Sequence, residues 1–196
     1  MTESRRLTPR GRERRRQLID YAARRFAENG FHPTSVAEIV AGLGVGKGVF
    51  YWYFDSKDQL FIEILHESQQ SLRRAQQHVI KDEADPVARI ELGIRASMQW
   101  FADNGHLVTL VQAAATDERF APVLRRGQEV ALADAVKHVK DGIVAGVIRD
   151  GEPEVIALAV IGVTAHLARE LIHVRGELPD AVADAAIAFC LDGLRR

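Results

Sequence analysis

Five consecutive aromatic residues, Phe50, Tyr51, Trp52, Tyr53 and Phe54, constrain this chain more tightly than any other stretch. A helix turns by about 100° per residue and a strand alternates its faces, so neither can hide five adjacent rings on one side. Whatever the segment folds into, some of these rings face outward. The flanks decide which fold applies. Gly44, Gly46 and Gly48 precede the rings, and Asp55-Ser56 follow as a helix cap, which frames a short helix from about Gly46 to Phe54. With Phe50 at 0° on a helical wheel, Phe54 falls at about 40° and Tyr53 at about −60°, on the inward arc. Gly48, Val49, Tyr51 and Trp52 take the outward arc.

The remainder of the chain reads as helix throughout. Proline is scarce, β-branched alternation is weak, and Ala, Leu, Arg and Glu dominate. Thr8-Pro9 caps a first helix that carries Leu18, Ala22 and Phe26 at i, i+4, i+8 and stops at Asn29-Gly30. Ser35 and Glu38 form a capping-box pattern opening a short second helix through Ile39 and Leu43. After the aromatic helix, Ser56 and Gln59 open a long one to about Ile80. Asp85-Pro86 start another, broken at Asn104-Gly105. Helices from His106 to Ala115, Pro122 to Gly146, Glu154 to Val174 and Pro179 to Leu194 complete a set of nine. The expected fold class is all-α, with an N-terminal helix-turn-helix domain over 1–57 and a C-terminal helical domain over 58–196.

A formal net charge of −1 conceals an uneven distribution. Residues 1–57 hold eleven Lys/Arg against six Asp/Glu, and the remainder holds fifteen against twenty-one. Seven of those eleven are arginines between Arg5 and Arg16. One end of the chain is thus suited to a polyanion and the other is not. Tyr51 and Trp52 beside Lys47 and Lys57 fit that picture, because a tyrosine hydroxyl can donate to phosphate, ring carbon can pack on a thymine methyl, and lysine neutralises backbone charge. Gly46 and Gly48 would let the backbone come close to a groove.

The stretch TSVAEIVAGLGVGKGVFYWYFDSKDQL resembles the DNA-binding signature of TetR-type transcriptional regulators. In that family a Thr/Ser-capped helix, a glycine turn, a Gly-Thr-Leu-Tyr-like recognition helix and a Phe-x-x-Lys exit follow one another, and the match covers roughly residues 14–62. The resemblance implies that Thr34 and Ser35 cap and touch phosphate, that Lys47, Gly48 and Tyr51 face bases, and that Tyr51, Tyr53 and Lys57 clamp the backbone, with Trp52 alongside. Gly46 and Val49 stand where the family usually has hydroxyl side chains, so two phosphate contacts are missing at those positions. The arginine-rich leader is a candidate replacement, as a basic arm. The resemblance further implies a homodimer on double-stranded DNA, a repressor released from a palindromic operator by a small-molecule effector. A sensing module without operator binding, or an activator, is the alternative.

No enzyme is expected. The glycines of AGLGVGKGV fail both phosphate-loop patterns, and no strand precedes them. His166, Glu170 and His173 share a helix at metal-like spacing, but no second motif completes a site, so no metal and no cofactor is assigned. Met98, Trp100, Phe101, His106, Gln112, Phe120 and His138 mix apolar and polar groups as ligand pockets do, and are the candidate effector site. The apolar stretch 155–168 spans about 14 residues, too short for a bilayer, and no export signal is visible, so no membrane partner is expected. A single cysteine, Cys190, fits a cytoplasmic protein. The helix 154–174 is apolar around most of its circumference and needs two partners, its own domain and a second copy.

Overall fold

The structure, a computed structural model, describes residues 7–194. Nine α-helices follow in order: α1 Pro9–Asn29, α2 Val36–Gly42, α3 Lys47–Tyr53, α4 Lys57–Ile80, α5 Pro86–Asp103, α6 Gly105–Ala114, α7 Ala121–Val144, α8 Pro153–Leu167 and α9 Pro179–Leu194. No strand occurs among the described residues. Arg5 and Arg6 of the basic leader lie outside them. From Arg10 onward the leader is the opening of α1, so its arginines ride on a helix rather than a free arm.

The caps act where the residue types place them. Thr8 Oγ1 accepts from Gly11 N at 3.1 Å, Ser35 Oγ from Glu38 N at 3.1 Å, Ser56 Oγ from Gln59 N at 3.0 Å, and Asp85 Oδ1 from Val87 N at 2.9 Å. At Ser35 the Glu38 carboxylate takes Arg25 Nε at 3.1 Å and Arg25 Nη2 at 2.5 Å, which ties α2 to α1, and Arg25 first, with the Ser35 backbone N–H contributing, holds it below the usual carboxylate range. Gly44 has φ +65° in the turn from α2 to α3, where a side chain would be strained.

Two apolar cores result. The first gathers Leu18, Ala22 and Phe26 of α1, Ile39 and Val40 of α2, Phe50 and Phe54, and Leu60, Phe61, Ile64 and Leu65 of α4. It also takes in Leu110 and Ala114 of α6 and Phe120 beyond it, so it reaches past residue 57 into the helices that follow. Phe31, Phe61 and Phe120 form its centre, with ring centroids 4.7 Å apart for Phe31–Phe61 and 4.6 Å for Phe61–Phe120. The second core joins α5, α7, α8 and α9 through Ile94, Met98, Val139, Ile156, Ala186 and Leu191.

The last hairpin departs from a plain helix pair. α8 continues as a π-helical stretch over Ala168–Val174, giving 22 residues from Pro153 to Val174. By length and composition alone this is enough to cross a membrane, longer than the apolar run 155–168 suggested. Only 28% of its most apolar window is buried, and Val155, Leu158 and Val174 stand open, as does Phe189 of α9.

Phe61 is the residue on which the first core converges. Phe61→Ala should lower the unfolding free energy by about 3–5 kcal/mol. Urea titration should show this as a fall in midpoint with little change in slope.

Candidate nucleic-acid interface

α3 is fastened from beneath by two rings. Phe50 is fully buried and Phe54 nearly so, while Tyr51 is 55% exposed and Trp52 50% exposed. The outward arc therefore falls where the wheel puts it. Tyr51 lies edge-on to Phe50 with centroids 5.2 Å apart, and Trp52 edge-on to Tyr53 at 4.5 Å. These contacts orient the outer rings without covering them. Lys47 is exposed at the first position of α3. A side chain added at Gly46 or Gly48 would meet nothing within 4 Å, so nothing inside the described protein requires those glycines. Val49 and Tyr53 are half-buried, and the Tyr53 hydroxyl lies close to Gly11. The first turn of α1 thus stands beside the Tyr53 ring of α3.

Two residues assigned to phosphate have other work. Thr34 is completely buried, and its Oγ1 donates to Gly30 O at 2.9 Å, closing the turn between α1 and α2. It cannot reach DNA from there. Lys57 is half-buried, and its ammonium donates to Phe31 O at 2.7 Å, Thr34 O at 2.9 Å and His32 O at 3.2 Å. All three of its donors are used. Its Nζ also sits 4.4 Å from the centroid of the Phe31 ring. Burial pushes the Lys57 ammonium below the ordinary lysine value, and Arg119 adds to the effect against the opposing pull of Asp58. Lys57 is therefore a pin inside the protein. Ser35 remains exposed, with its hydroxyl committed as the cap of α2.

The basic leader divides in the same way. Arg15 binds Glu63 at 2.6 Å and Glu67 at 3.0 Å and lies over the Phe54 ring, holding α1 to α4. Arg16 pairs with Glu13. Arg10 and Arg14 make no ion pair among the described residues and stay available. Nothing in the sequence pattern sets Arg15 apart from the free arginines, because its partners come from α4.

The seven candidate effector residues are divided between the two cores, the surface and the space between. Met98 is fully buried in the second core and Phe101 packs against it. Phe120 belongs to the aromatic centre of the first core. Trp100 donates from Nε1 to Ser71 Oγ at 2.9 Å, and Gln112 is exposed. His138 is half-buried with its Nδ1 unpartnered, and burial, then the nearby Arg89, lowers its pKa. His106 borders a cleft of about 370 Å³ between α1, α4 and α6. Burial, then Arg24, lowers the His106 pKa against the pull of Asp20. On the π-helical stretch, His173 Nε2 lies 3.3 Å from Thr109 Oγ1 and Glu170 takes Arg169, so the metal-like spacing does not become a cluster.

Residues 18–64 match the family described as bacterial regulatory proteins, tetR family. The chain is similar to the fatty acid metabolism regulator protein of Bacillus subtilis, 26% identical over 156 residues, which span 80% of this chain and 76% of that one. It is likewise similar to the transcriptional repressor KstR2 of Rhodococcus jostii, 26% identical over 191 residues, covering 92% and 91% of the two chains. Other helix-turn-helix regulators match over only 86 residues, 40% of their own length. A transcriptional regulator from Saccharomonospora viridis, solved in complex with choline, shares the fold with a TM-score of 0.80 at 18% identity, over 94% of this chain and 99% of that one.

The division between outer and inner residues predicts opposite behaviours. Lys57→Met should destabilise the protein by about 1–3 kcal/mol, the range for hydrogen bonds to a charged group, because three carbonyls lose their donor. Tyr51→Ala should leave the melting temperature almost unchanged. Thermal unfolding followed by circular dichroism separates the two.

Proposed function

We propose that this chain, which belongs to the TetR family of bacterial regulators and is a DNA-binding transcriptional regulator, acts as a homodimeric repressor released from a two-fold symmetric operator by a small-molecule effector. One observation carries the reading: Lys47, Gly48, Tyr51 and Trp52 form an outward face on a helix whose inner face is locked by Phe50 and Phe54. A soluble surface gains nothing from leaving a tyrosine and a tryptophan side by side beside a free lysine. A DNA groove uses all three. Gly46 and Gly48, unneeded for internal packing, keep the start of α3 thin enough for close approach. Arg10 and Arg14 extend the positive surface along the neighbouring helix.

Phosphate contact passes in this reading to Ser35, Lys47, Tyr51, Tyr53 and the free arginines of α1. Val49 is half-buried and contributes at most an apolar edge. Lys57 and Thr34 serve the same surface indirectly, by fixing the turn against which α2 and α3 are set. The division of the chain into a DNA-reading part over 1–57 and an effector and dimer part over 58–196 remains our functional assignment. The repressor name borne by the KstR2 relative supports repression, and the choline complex of the Saccharomonospora protein supports an effector in the helical part.

The partner for the exposed apolar side of α8 and α9 is a second copy of the chain. Val155, Leu158 and Phe189 form part of a face that no described element covers. A two-fold pairing there buries the same residues on both copies and sets two α3 helices on one side of the dimer. Successive major grooves lie about 34–36 Å apart, which gives the separation the two helices must meet.

Two measurements test this. On a duplex selected from a random pool, Tyr51→Ala should cost about 1–3 kcal/mol of binding and Lys47→Ala should reduce the salt slope by about one charge. Unchanged binding by Tyr51→Ala with an intact fold would remove the assignment. Leu158→Glu combined with Phe189→Glu should convert a particle of twice the 21.8 kDa chain mass into a single chain in sedimentation at micromolar concentration. A wild-type protein that sediments as one chain contradicts the dimer directly.

A further inference from the structure

We propose that the cleft between α1, α4 and α6 binds a small organic anion, an oxyanion head carrying a short apolar tail, and that this is a control site at the junction between the DNA-reading helices and the rest of the chain. The control role rests on the regulator reading above; the binding does not.

The cleft has a floor and a rim of different chemistry. Ile19 and Ala23 of α1, Ile64 of α4 and Leu107 of α6 supply apolar surface, while Arg24, Arg74 and His106 supply cationic or protonatable groups. Its volume of about 370 Å³ lies within the range of sites for small molecules, roughly 300–1,000 Å³. The decisive feature is the state of the two guanidinium groups. Arg25, next to Arg24, is bound by Glu28 and Glu38, and Arg73, next to Arg74, binds Asp134 through two hydrogen bonds. Arg24 makes no ion pair among the described residues. Arg74 reaches only the amide oxygen of Gln70 at 3.3 Å. Of the carboxylates in the cleft, Glu67 already holds Arg15. Asp20 is left as the one free carboxylate against two free guanidinium groups. An oxyanion that bridges Arg24 and Arg74 would correct this imbalance, and guanidinium is the side chain best shaped to hold such a head.

The location gives binding a consequence. Arg24 lies on the helix that supports α2 and α3, Arg74 lies on α4, and His106 lies near the start of α6. A bridging anion would fix α1 relative to the other two helices, and so fix the direction in which α3 projects. The site also carries its own reporter. Ser71 lines the cleft and accepts from Trp100 Nε1 at 2.9 Å, so occupancy alters the environment of that indole.

The experiment uses the full chain with Trp52→Phe, which leaves Trp100 as the sole tryptophan, titrated without DNA. Hexanoate and hexyl phosphate provide the two oxyanion heads, and hexanol provides the tail without charge. At least one anion should change Trp100 fluorescence saturably while hexanol does not. Arg24→Ala with Arg74→Ala should weaken that binding by about tenfold or more, as expected for lost charged hydrogen bonds, with the melting temperature unchanged. Asp20→Asn should tighten it. The tighter head identifies a carboxylate or a phosphate ligand. No saturable response, an equal response to hexanol, or unchanged affinity in the double arginine variant would each overturn the site. Duplex binding is measured separately on protein with Trp52 intact, with and without the anion. Absence of DNA binding defeats the regulator reading and leaves the site standing, whereas DNA binding indifferent to a bound anion defeats the control role.

Discussion

The ammonium of Lys57 is the interaction on which the N-terminal helices depend. It collects three carbonyls, from Phe31, His32 and Thr34, at the place where α1 turns into α2. Backbone carbonyls in a tight, partly buried turn need donors, and the turn offers few of its own. A single cation at the start of α4 meets that need and at the same time fixes where α4 begins. The Phe31 ring below Lys57 belongs to the stack with Phe61 and Phe120, so the polar pin sits on an aromatic base. Arg119 closes the far side, bound to Asp58 and Asp117 and lying over Phe31 and Phe120.

That arrangement makes the two ends of the molecule mechanically inseparable at this point. Phe120 and Arg119 lie in the connection from α6 to α7, Phe61, Lys57 and Asp58 in α4, and Phe31 in the turn that aims α2. A close-packed aromatic group is not continuously deformable, so a displacement of α4 or α6 must carry the turn with it or break the packing. A short path of contacts thus joins the later helices to the turn before α2. The ion pairs of Arg15 with Glu63 and Glu67 restrict the same motion from the other side of α4.

Features governed by local chemistry were legible in the sequence. Capping residues, the turn glycine Gly44, the buried Phe50 and Phe54 and the exposed Gly48, Tyr51 and Trp52 of α3 depend only on neighbours within a turn or two, and they stand where expected. Features governed by distant partners were not legible. Lys57 reads as a surface lysine until the carbonyls of Phe31 to Thr34 are placed beside it by the fold. Thr34 reads as an exposed cap until the turn buries it under Gly30. The distribution of the effector candidates over both cores was not legible for the same reason, since a list of mixed apolar and polar residues says nothing about which of them meet. The π-helical stretch left no signal in the periodicity, because its residues remain apolar and polar at nearly helical spacing.

The partition of exposed surface follows from these commitments. Arginines on α1 and α4 face a choice between an internal carboxylate and solvent, and Arg15, Arg25 and Arg73 among the paired ones hold helices together. The ones left over mark where a ligand of opposite charge gains most, because no internal bond must be broken to bind it. Arg10 and Arg14 lie on the opening turns of α1, and Arg24 and Arg74 line the cleft. A polyanion suits the first pair, which stands on an open surface, and a small anion suits the second, which stands in a recess of limited volume. The same helix, α1, carries both members of the first pair and one of the second. Arg24 thus lies on the same rigid helix whose opening turns carry Arg10 and Arg14, unpaired among the described residues.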